Sequence, residues 1–479
     1  MSTTPGAGLD RRELTRLGPV RRAVLLPSFQ FWTVLPTLAL VVVVLVSAAV
    51  GLEHPSANFG TVVTWIVWWG GLLVSFVLVG RAWCLVCPIG AIPEWLQRLS
   101  PWWGSRYTAG LGLPWPRRLR NLWLPTALFV VFVFLDNGYG MSNSPRMTAG
   151  LIAVLALGAA WVSLVFERRA FCRYLCPLTA FIGTCALTSV FELRRRDPAP
   201  CRNACPTKDC YRGNARRYGC PMGEFPGGGL ESNLHCILCT ECVKSCPHDN
   251  IALRWRAPGR DLWAMSRPRL DGACAAAVIV GLATVVPLLA LAFLPELRSL
   301  LARLLPAGVP PNDPPRLAAV VLVFGVGLGA TLGLLHAASL LSRWASGSAR
   351  VTTRALFTRY AYALIPVGLS KLLADLLDHA FRTWGVLSNV TSALLLDFPW
   401  NRVMPERASA TDLLGPLAVY GLQVALLLGG LLWSLEALRR TAPGPAADRA
   451  SGVASFLPIA GLALVLTLAS LWTLGSGLL

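Results

Sequence analysis

Residues 60–91 read GTVVTWIVWWGGLLVSFVLVGRAWCLVCPIGA. The apolar first two-thirds is long enough to cross the hydrocarbon core as a helix. It runs directly into Arg81, an aromatic residue and the turn Cys84-Leu85-Val86-Cys87-Pro88, which predicts a spanning helix that delivers two thiols to one bilayer surface. Nearly the same text recurs where another apolar run ends, at Arg169-Ala170-Phe171-Cys172-Arg173-Tyr174-Leu175-Cys176-Pro177-Leu178-Thr179-Ala180. Both copies read Arg-Ala-aromatic-Cys, then two or three residues, then Cys-Pro-aliphatic-x-Ala. A duplicated helix end places both Cys-Pro pairs at one depth. Cys84, Cys87, Cys172 and Cys176 are therefore candidate ligands of a shared metal centre. The alternative is a redox-active dithiol or paired structural thiols, since a stable disulfide is disfavoured on a reducing side.

Working outward, the chain is 54% hydrophobic and 14% charged over 479 residues, with mean hydropathy +0.56. Soluble domains carry about 25% charge, so the bilayer is the main solvent. Nine spans are expected, near 31–52, 60–80, 121–138, 148–167, 271–294, 317–342, 357–380, 412–436 and 453–476. The first is too long for a cleavable leader and reads as an anchor. With the N-terminus inside, 35 of the 43 Lys and Arg fall in cytoplasmic segments. That asymmetry follows the positive-inside rule and accounts for the net charge of +19 without nucleic acid. The expected protein is multi-pass in the cytoplasmic (inner) membrane, with its N-terminus in the cytoplasm and its C-terminus outside.

The fold class expected is an all-α polytopic membrane protein with a small cytoplasmic insert. Residues 1–22 form a cytoplasmic tail, 23–195 a four-span unit carrying both Cys-Pro motifs, 196–260 the hydrophilic insert, and 270–479 a five-span unit. Eight of the fourteen cysteines lie in the insert. So short a segment buries little apolar surface and needs metal to fold.

The insert contains Cys236-x-x-Cys239-x-x-Cys242-x-x-x-Cys246-Pro247. Two-residue gaps let a tight loop wrap three corners of an iron–sulfur cluster, and the fourth cysteine, set off by proline, typically reaches a second cluster. Zinc prefers two separated Cys-x-x-Cys pairs and is the weaker match. Upstream lie Cys201, Cys205, Cys210 and Cys220, and Cys220-Pro221 mirrors Cys246-Pro247. The count suits two [4Fe-4S] clusters in a ferredoxin-like domain. Crosswise ligation is preferred: Cys236, Cys239, Cys242 and Cys220 for one, Cys201, Cys205, Cys210 and Cys246 for the other. Ligation four in a row is the alternative. His235 and His248 flank the run and read as tuning or shielding contacts. Cys185 and Cys274 read as packing residues, and Trp65, Trp68 and Trp69 as packing or interfacial anchors.

These motifs resemble the NapH/NosR group of membrane-bound ferredoxin-type proteins, over about residues 23–256. The resemblance rests on Cys84, Cys87, Cys172, Cys176 and the eight cysteines from Cys201 to Cys246. It implies electron exchange between the quinone pool and a partner oxidoreductase through iron–sulfur centres. The chain departs from the group in the two-residue gap of its first Cys-Pro pair, where three residues are common. A flavin domain like that of NosR is absent, so flavin is not implied.

Lys371, Asp375 and His379 recur every four residues and share one helix face. Ionisable groups inside a span usually face the bundle interior and work there. A quinol site needs groups that accept protons as electrons leave, and His with Asp would suit. The competing reading is snorkelling at the outer interface, since Asp378 and Arg382 are close by. His336 stands about 20 Å from His379 in depth at 1.5 Å rise per residue, which excludes one haem between them. Two further classes stay open: an accessory or redox sensor in metalloenzyme assembly, and a transporter built on the last five spans.

Overall fold

The computed structural model describes residues 12–98, 110–215, 217–290, 293–306, 308, 313–347, 351–404, 414–441 and 449–476. Half of the expected 1–22 tail and the start of the expected 412–436 span lie outside them.

Among the described residues, eight helices are long and apolar enough to cross a membrane: Phe29–Val50, Phe59–Val86, Pro145–Val165, Leu270–Leu289, Pro314–Ser346, Thr353–Phe381, Pro416–Thr441 and Ser455–Gly475. The expected third span appears as Trp123–Tyr139, a 17-residue apolar helix. At 1.5 Å per residue it is about 25 Å long, just short of the hydrocarbon thickness. The protein is thus an all-helical polytopic membrane protein with one small two-stranded sheet.

Two spans form the centre of the bundle. Their most apolar windows are 72% (Thr353–Phe381) and 67% (Leu270–Leu289) buried in protein, against 22–33% for the others. This explains how Thr353–Phe381 tolerates charge: Lys371 faces protein rather than lipid, with 1% of its surface exposed. The helix expected at 357–380 instead continues, as Ile365–Leu396. Its second half has apolar partners of its own, because Val390 and Leu394 pack with Val44, Phe59 and Val62.

The insert hangs from strands β1 (Phe191–Arg195) and β2 (Ile251–Trp255), paired antiparallel with Phe191 opposite Trp255 and Arg195 opposite Ile251. All eight insert cysteines lie on the chain between these strands. Three short helices, Pro198–Asn203, Asp209–Arg212 and Glu241–Ser245, carry the loops. The N-terminal segment is annexed to this domain. The Trp255 amide donates to the Arg12 carbonyl at 2.8 Å, and buried Glu13 pairs with Arg196 at 2.6 Å. Arg21 reaches Asp249 at 3.0 Å. Hydropathy carries no sign of this attachment, since the segment is short and polar.

Candidate metal centre

The repeat builds the membrane-side thiol group. In the first copy, Gly80 ends the span at φ +58°, where a side chain would also stand 2.7 Å from Ser189 Cβ. The chain turns there, runs through Trp83–Val86, and restarts as Pro88–Arg98 beyond Cys87. Pro88 is suited to the first helical position, which needs no amide donor. In the second copy, Arg168 takes the turn at φ 59°, and Phe171–Leu175 forms a π turn closed by the Cys176 amide on the Phe171 carbonyl at 2.8 Å. The wider turn absorbs the one extra residue. Unequal Cys–Cys gaps therefore still bring the pairs together.

The four thiols are neighbours. The charges of Cys176, Cys87 and Cys84 would all act on Cys172, and those of Cys84 and Cys87 on Cys176. Gly90 of the first copy lies against the second: a Cβ on it would stand 2.8 Å from Cys172 Sγ. The two repeat arginines clamp the copies reciprocally. Arg81 donates to the Cys172 carbonyl at 2.7 Å, and Arg169 donates to the Cys84 carbonyl at 2.8 Å. Both are buried, with 1% and 4% of their surface exposed. Arg169 also pairs with buried Glu94.

The same arginines tie the insert to the membrane unit. Arg81 reaches the Leu234 carbonyl at 2.8 Å, and the Arg169 amide donates to the Pro221 carbonyl at 3.1 Å. Arg173 pairs with Glu224 at 2.6 Å and also donates to the Met222 carbonyl. Sequence reading found these arginines as part of a repeat. Only their burial and their carbonyl partners disclose the clamp.

In the insert, Leu238 (φ 54°) and Thr240 (φ 62°) take left-handed conformations that curl the Cys236–Cys242 loop inward. Around Cys239 and Cys242 the nearest thiols include Cys220 and Cys236. Around Cys210 they are Cys246, Cys201 and Cys205. These are the neighbours that crosswise ligation would require, with Cys210 also close to Cys242 where the two groups adjoin. Polar hydrogens are aimed at the sulfurs. Glu224 N lies 3.4 Å from Cys220 Sγ, Asn250 N 3.3 Å from Cys246 Sγ, and Asn250 Nδ2 3.3 Å from Cys201 Sγ. Gly227 closes over the second set, where a Cβ would meet Cys201 and Cys210 sulfurs at 3.2 and 3.3 Å.

The donor chemistry fits iron–sulfur clusters. Burial pushes the free thiols up, Cys236 to about 11 and Cys210 and Cys176 to about 12, with Cys239 and Cys242 also well above the ordinary value. Thiols raised in this way are poor nucleophiles while unligated. Bonding to a cation is what makes buried thiolates stable. Among the described residues, no three His, Cys, Asp or Glu side chains close on a point as ligands of one ion do. A zinc ion, with Zn–S near 2.3 Å, needs tighter convergence than a four-iron cube. Buried Arg81 Nε and Arg169 Nη2 have no acceptor among the described residues, leaving donors for an anionic cluster. Replacing Gly90 by alanine is expected to lower iron content by up to about four atoms per chain. Gly227→Ala, with looser contacts, is expected to lower it less. Iron and sulfide assay of anaerobically purified variants checks both.

Two apolar patches hold the thiols. Leu85, Met222, Ile237 and Cys239 form one buried apolar patch, against which Cys84 and Cys220 pack. Leu193, Cys210, Leu238, Cys242 and Ile251 form the next, with Cys236 and Cys246 against it. Burial, and then the charges of Arg173, Arg81 and Arg269, push the His235 imidazole beside Cys236 well below its ordinary value. His248 meets the Ala204 carbonyl at 3.1 Å on the exposed side.

Of the intramembrane trio, Lys371 pairs with Asp375, while Asp375 and His379 line a cavity that Lys371 does not line. The side chains of Asp378 and Arg382 lie outside the described residues. Cys185 is buried in an apolar core with Phe181 and Ile182, and Cys274 packs at the edge of another. Trp65 donates to Thr148 at 2.9 Å and Trp69 stacks on Phe181.

Fold and thiol geometry define the class: a polytopic membrane protein with 4Fe-4S-type cysteine sites at one membrane face. Comparison with known proteins agrees. Residues 61–106 and 148–196, the two copies of the repeat, match the family described as "4Fe-4S binding domain". The chain is 27% identical over 204 residues to YccM of Escherichia coli K12, whose name assigns it to electron transport, covering 37% of this chain and 52% of that one. It is 28% identical over 194 residues to NirI of Paracoccus denitrificans, covering 36% and 26%. It is 30% identical over 122 residues to the uncharacterized protein MJ0750 of Methanocaldococcus jannaschii, covering 26% and 42%. The chain spans about half or less of each relative. No solved structure matches it. The resemblance to the membrane-bound 4Fe-4S proteins of the NapH/NosR kind stands on these matches.

Proposed function

We propose that this chain is a membrane-bound iron–sulfur electron-transfer protein that works between the quinone pool and a partner oxidoreductase. Its residues would hold three [4Fe-4S] clusters. Cys84, Cys87, Cys172 and Cys176 hold the one at the membrane. Cys220, Cys236, Cys239 and Cys242 hold the middle one. Cys201, Cys205, Cys210 and Cys246 hold the outer one. Bound clusters of this type supply reversible one-electron transfer, at potentials set by hydrogen bonds to sulfur and by solvent exposure.

The observation that carries this reading is a pair of buried apolar patches, one gathering Cys84, Cys220 and Cys239 and the other Cys210, Cys236, Cys242 and Cys246, with the adjacent residues Ile237 and Leu238 in one patch each. Leu85, Ile237 and Leu238 exclude water between neighbouring thiol sets. Amides and Asn250 steady the sulfurs, and the repeat arginines offset charge at the membrane set. Lys208 and His248, both exposed, lie on the face outside the third set, which is where a redox partner would dock. The basic residues of the insert favour a cytoplasmic placement for it and for the N-terminus.

Anaerobic purification with iron, sulfide and EPR analysis tests the proposal. About twelve iron atoms per chain are expected for three four-iron clusters. A value near eight would remove the membrane-side cluster, and no acid-labile sulfide would end the proposal. Membranes given a quinol are expected to bleach iron–sulfur absorbance. No bleaching under any quinol would favour an accessory role instead.

A further inference from the structure

Two adjoining cavities of about 600 and 550 Å³ open between the four-span and five-span units. Asp136, Asn143, Asp375 and His379 line both. They lie at the membrane face opposite the thiols. Trp123–Tyr139 begins beside the insert, where the Leu122 amide donates to Asp271, and ends next to Asp136. Asp136 and Asn143 come from the repeat-bearing half of the chain and Asp375 and His379 from the second half, so neither unit makes the site alone.

The cavities differ in chemistry along their length. The polar end holds two carboxylates and an imidazole, with Asp375 anchored by buried Lys371 and Asp136 steadied by the Ser142 amide at 2.8 Å. The deep end of the smaller cavity is walled by aromatic rings: Trp65, Trp69, Phe129, Phe132 and Phe181. Trp65 and Phe132 stack at 6.2 Å between ring centres, and Phe181 stacks on both Trp69 and Phe129, at 5.3 and 5.0 Å. The ring walls lead toward the membrane-side thiols. Trp69 neighbours Trp68, which meets Trp83 at 6.3 Å, and Trp83 adjoins Cys84.

We infer that this composite cavity binds the head group of a membrane quinol or quinone. Aromatic walls accept a flat apolar ring. Carboxylate and imidazole groups accept and donate hydrogen bonds to ring oxygens at the polar end. A transported ion would not call for aromatic walls that lead to a thiol site. Asp136 and Asn143, rather than Lys371, complete the site with Asp375 and His379. The inference rests on the proposed electron-transfer role and specifies where in the chain the quinone pool is met.

Photo-crosslinking with azido derivatives of short-chain ubiquinone and menaquinone tests it on the full, iron-loaded chain. Label is expected on peptides from 123–139 and 365–396, and unlabelled quinone should compete it away. Val133→Trp and Ala283→Phe, which fill the aromatic end, should cut labelling about tenfold or more, as should Asp375→Asn and His379→Gln through lost hydrogen bonds. Iron and sulfide are measured on the same samples. Normal iron content with label that maps elsewhere, is not competed, or survives all four substitutions overturns the cavity assignment and leaves the cluster reading standing. Absent iron would instead indict the electron-transfer role itself.

Discussion

Arg169→Leu is expected to destabilise the membrane unit by about 3–5 kcal/mol, the usual result of stripping one partner from a buried ion pair. Glu94, at 1% exposure, would be left charged or forced to take up a proton in an apolar setting. The Cys84 carbonyl would lose its donor, and the two repeat copies would lose one of their reciprocal ties. Iron at the membrane-side thiols should fall with the fold. Thermal unfolding in detergent, followed alongside iron content, reads both effects. Combining Glu94→Leu with Arg169→Leu should restore much of the stability, because the orphaned charge disappears, but not the iron. Unchanged melting and iron in the single variant would show that the clamp is dispensable.

Cys239→Ala is the second large effect. Cys239 belongs to the middle thiol set and packs with the apolar patch that also contacts Cys84. Iron should drop by about one-third, four atoms of about twelve. The loss should also loosen the insert, since metal binding is folding free energy in so small a domain. Faster proteolysis between 196 and 260 is the expected sign. The functional effect separates this substitution from Cys201→Ala. Removing a ligand from the middle set should abolish quinol-driven bleaching of the outer one while dithionite still bleaches it. Removing one from the outer set should leave quinol-driven bleaching of the other two. Equal behaviour of the two variants would contradict the linear order of the thiol groups.

Much of the architecture was legible before any coordinates. The apolar runs located the long helices, because a bilayer demands about twenty apolar residues regardless of the partners they find. The 32-residue helix Ile365–Leu396 overran its expected end. What extends it is the apolar cluster that Val390 and Leu394 join with Phe59 and Val62, which hydropathy does not record. Duplication exposed the two Cys-Pro turns, and their unequal gaps looked like an obstacle. A π turn at Phe171–Leu175 removes it, a backbone adjustment that residue spacing alone does not specify.

Lys371, Asp375 and His379 illustrate a different limit. Their four-residue spacing put them on one helix face, but a face holds several directions. Lys371 turns to Asp375, while Asp375 and His379 open onto a cavity shared with Asp136, more than two hundred residues earlier. No local pattern marked Asp136. It became relevant only when two helices from different halves of the chain met.

The sequence by itself determined the solvent, the approximate helices, the basic side of the membrane and the cysteines available as ligands. Each of these depends on composition or on spacing within a few turns of chain. Tertiary structure decided which arginines lock the repeat and which side chains from the two halves line one cavity. Those outcomes depend on long-range packing, where burial fixes a side chain's direction and its partner through groups distant in the chain.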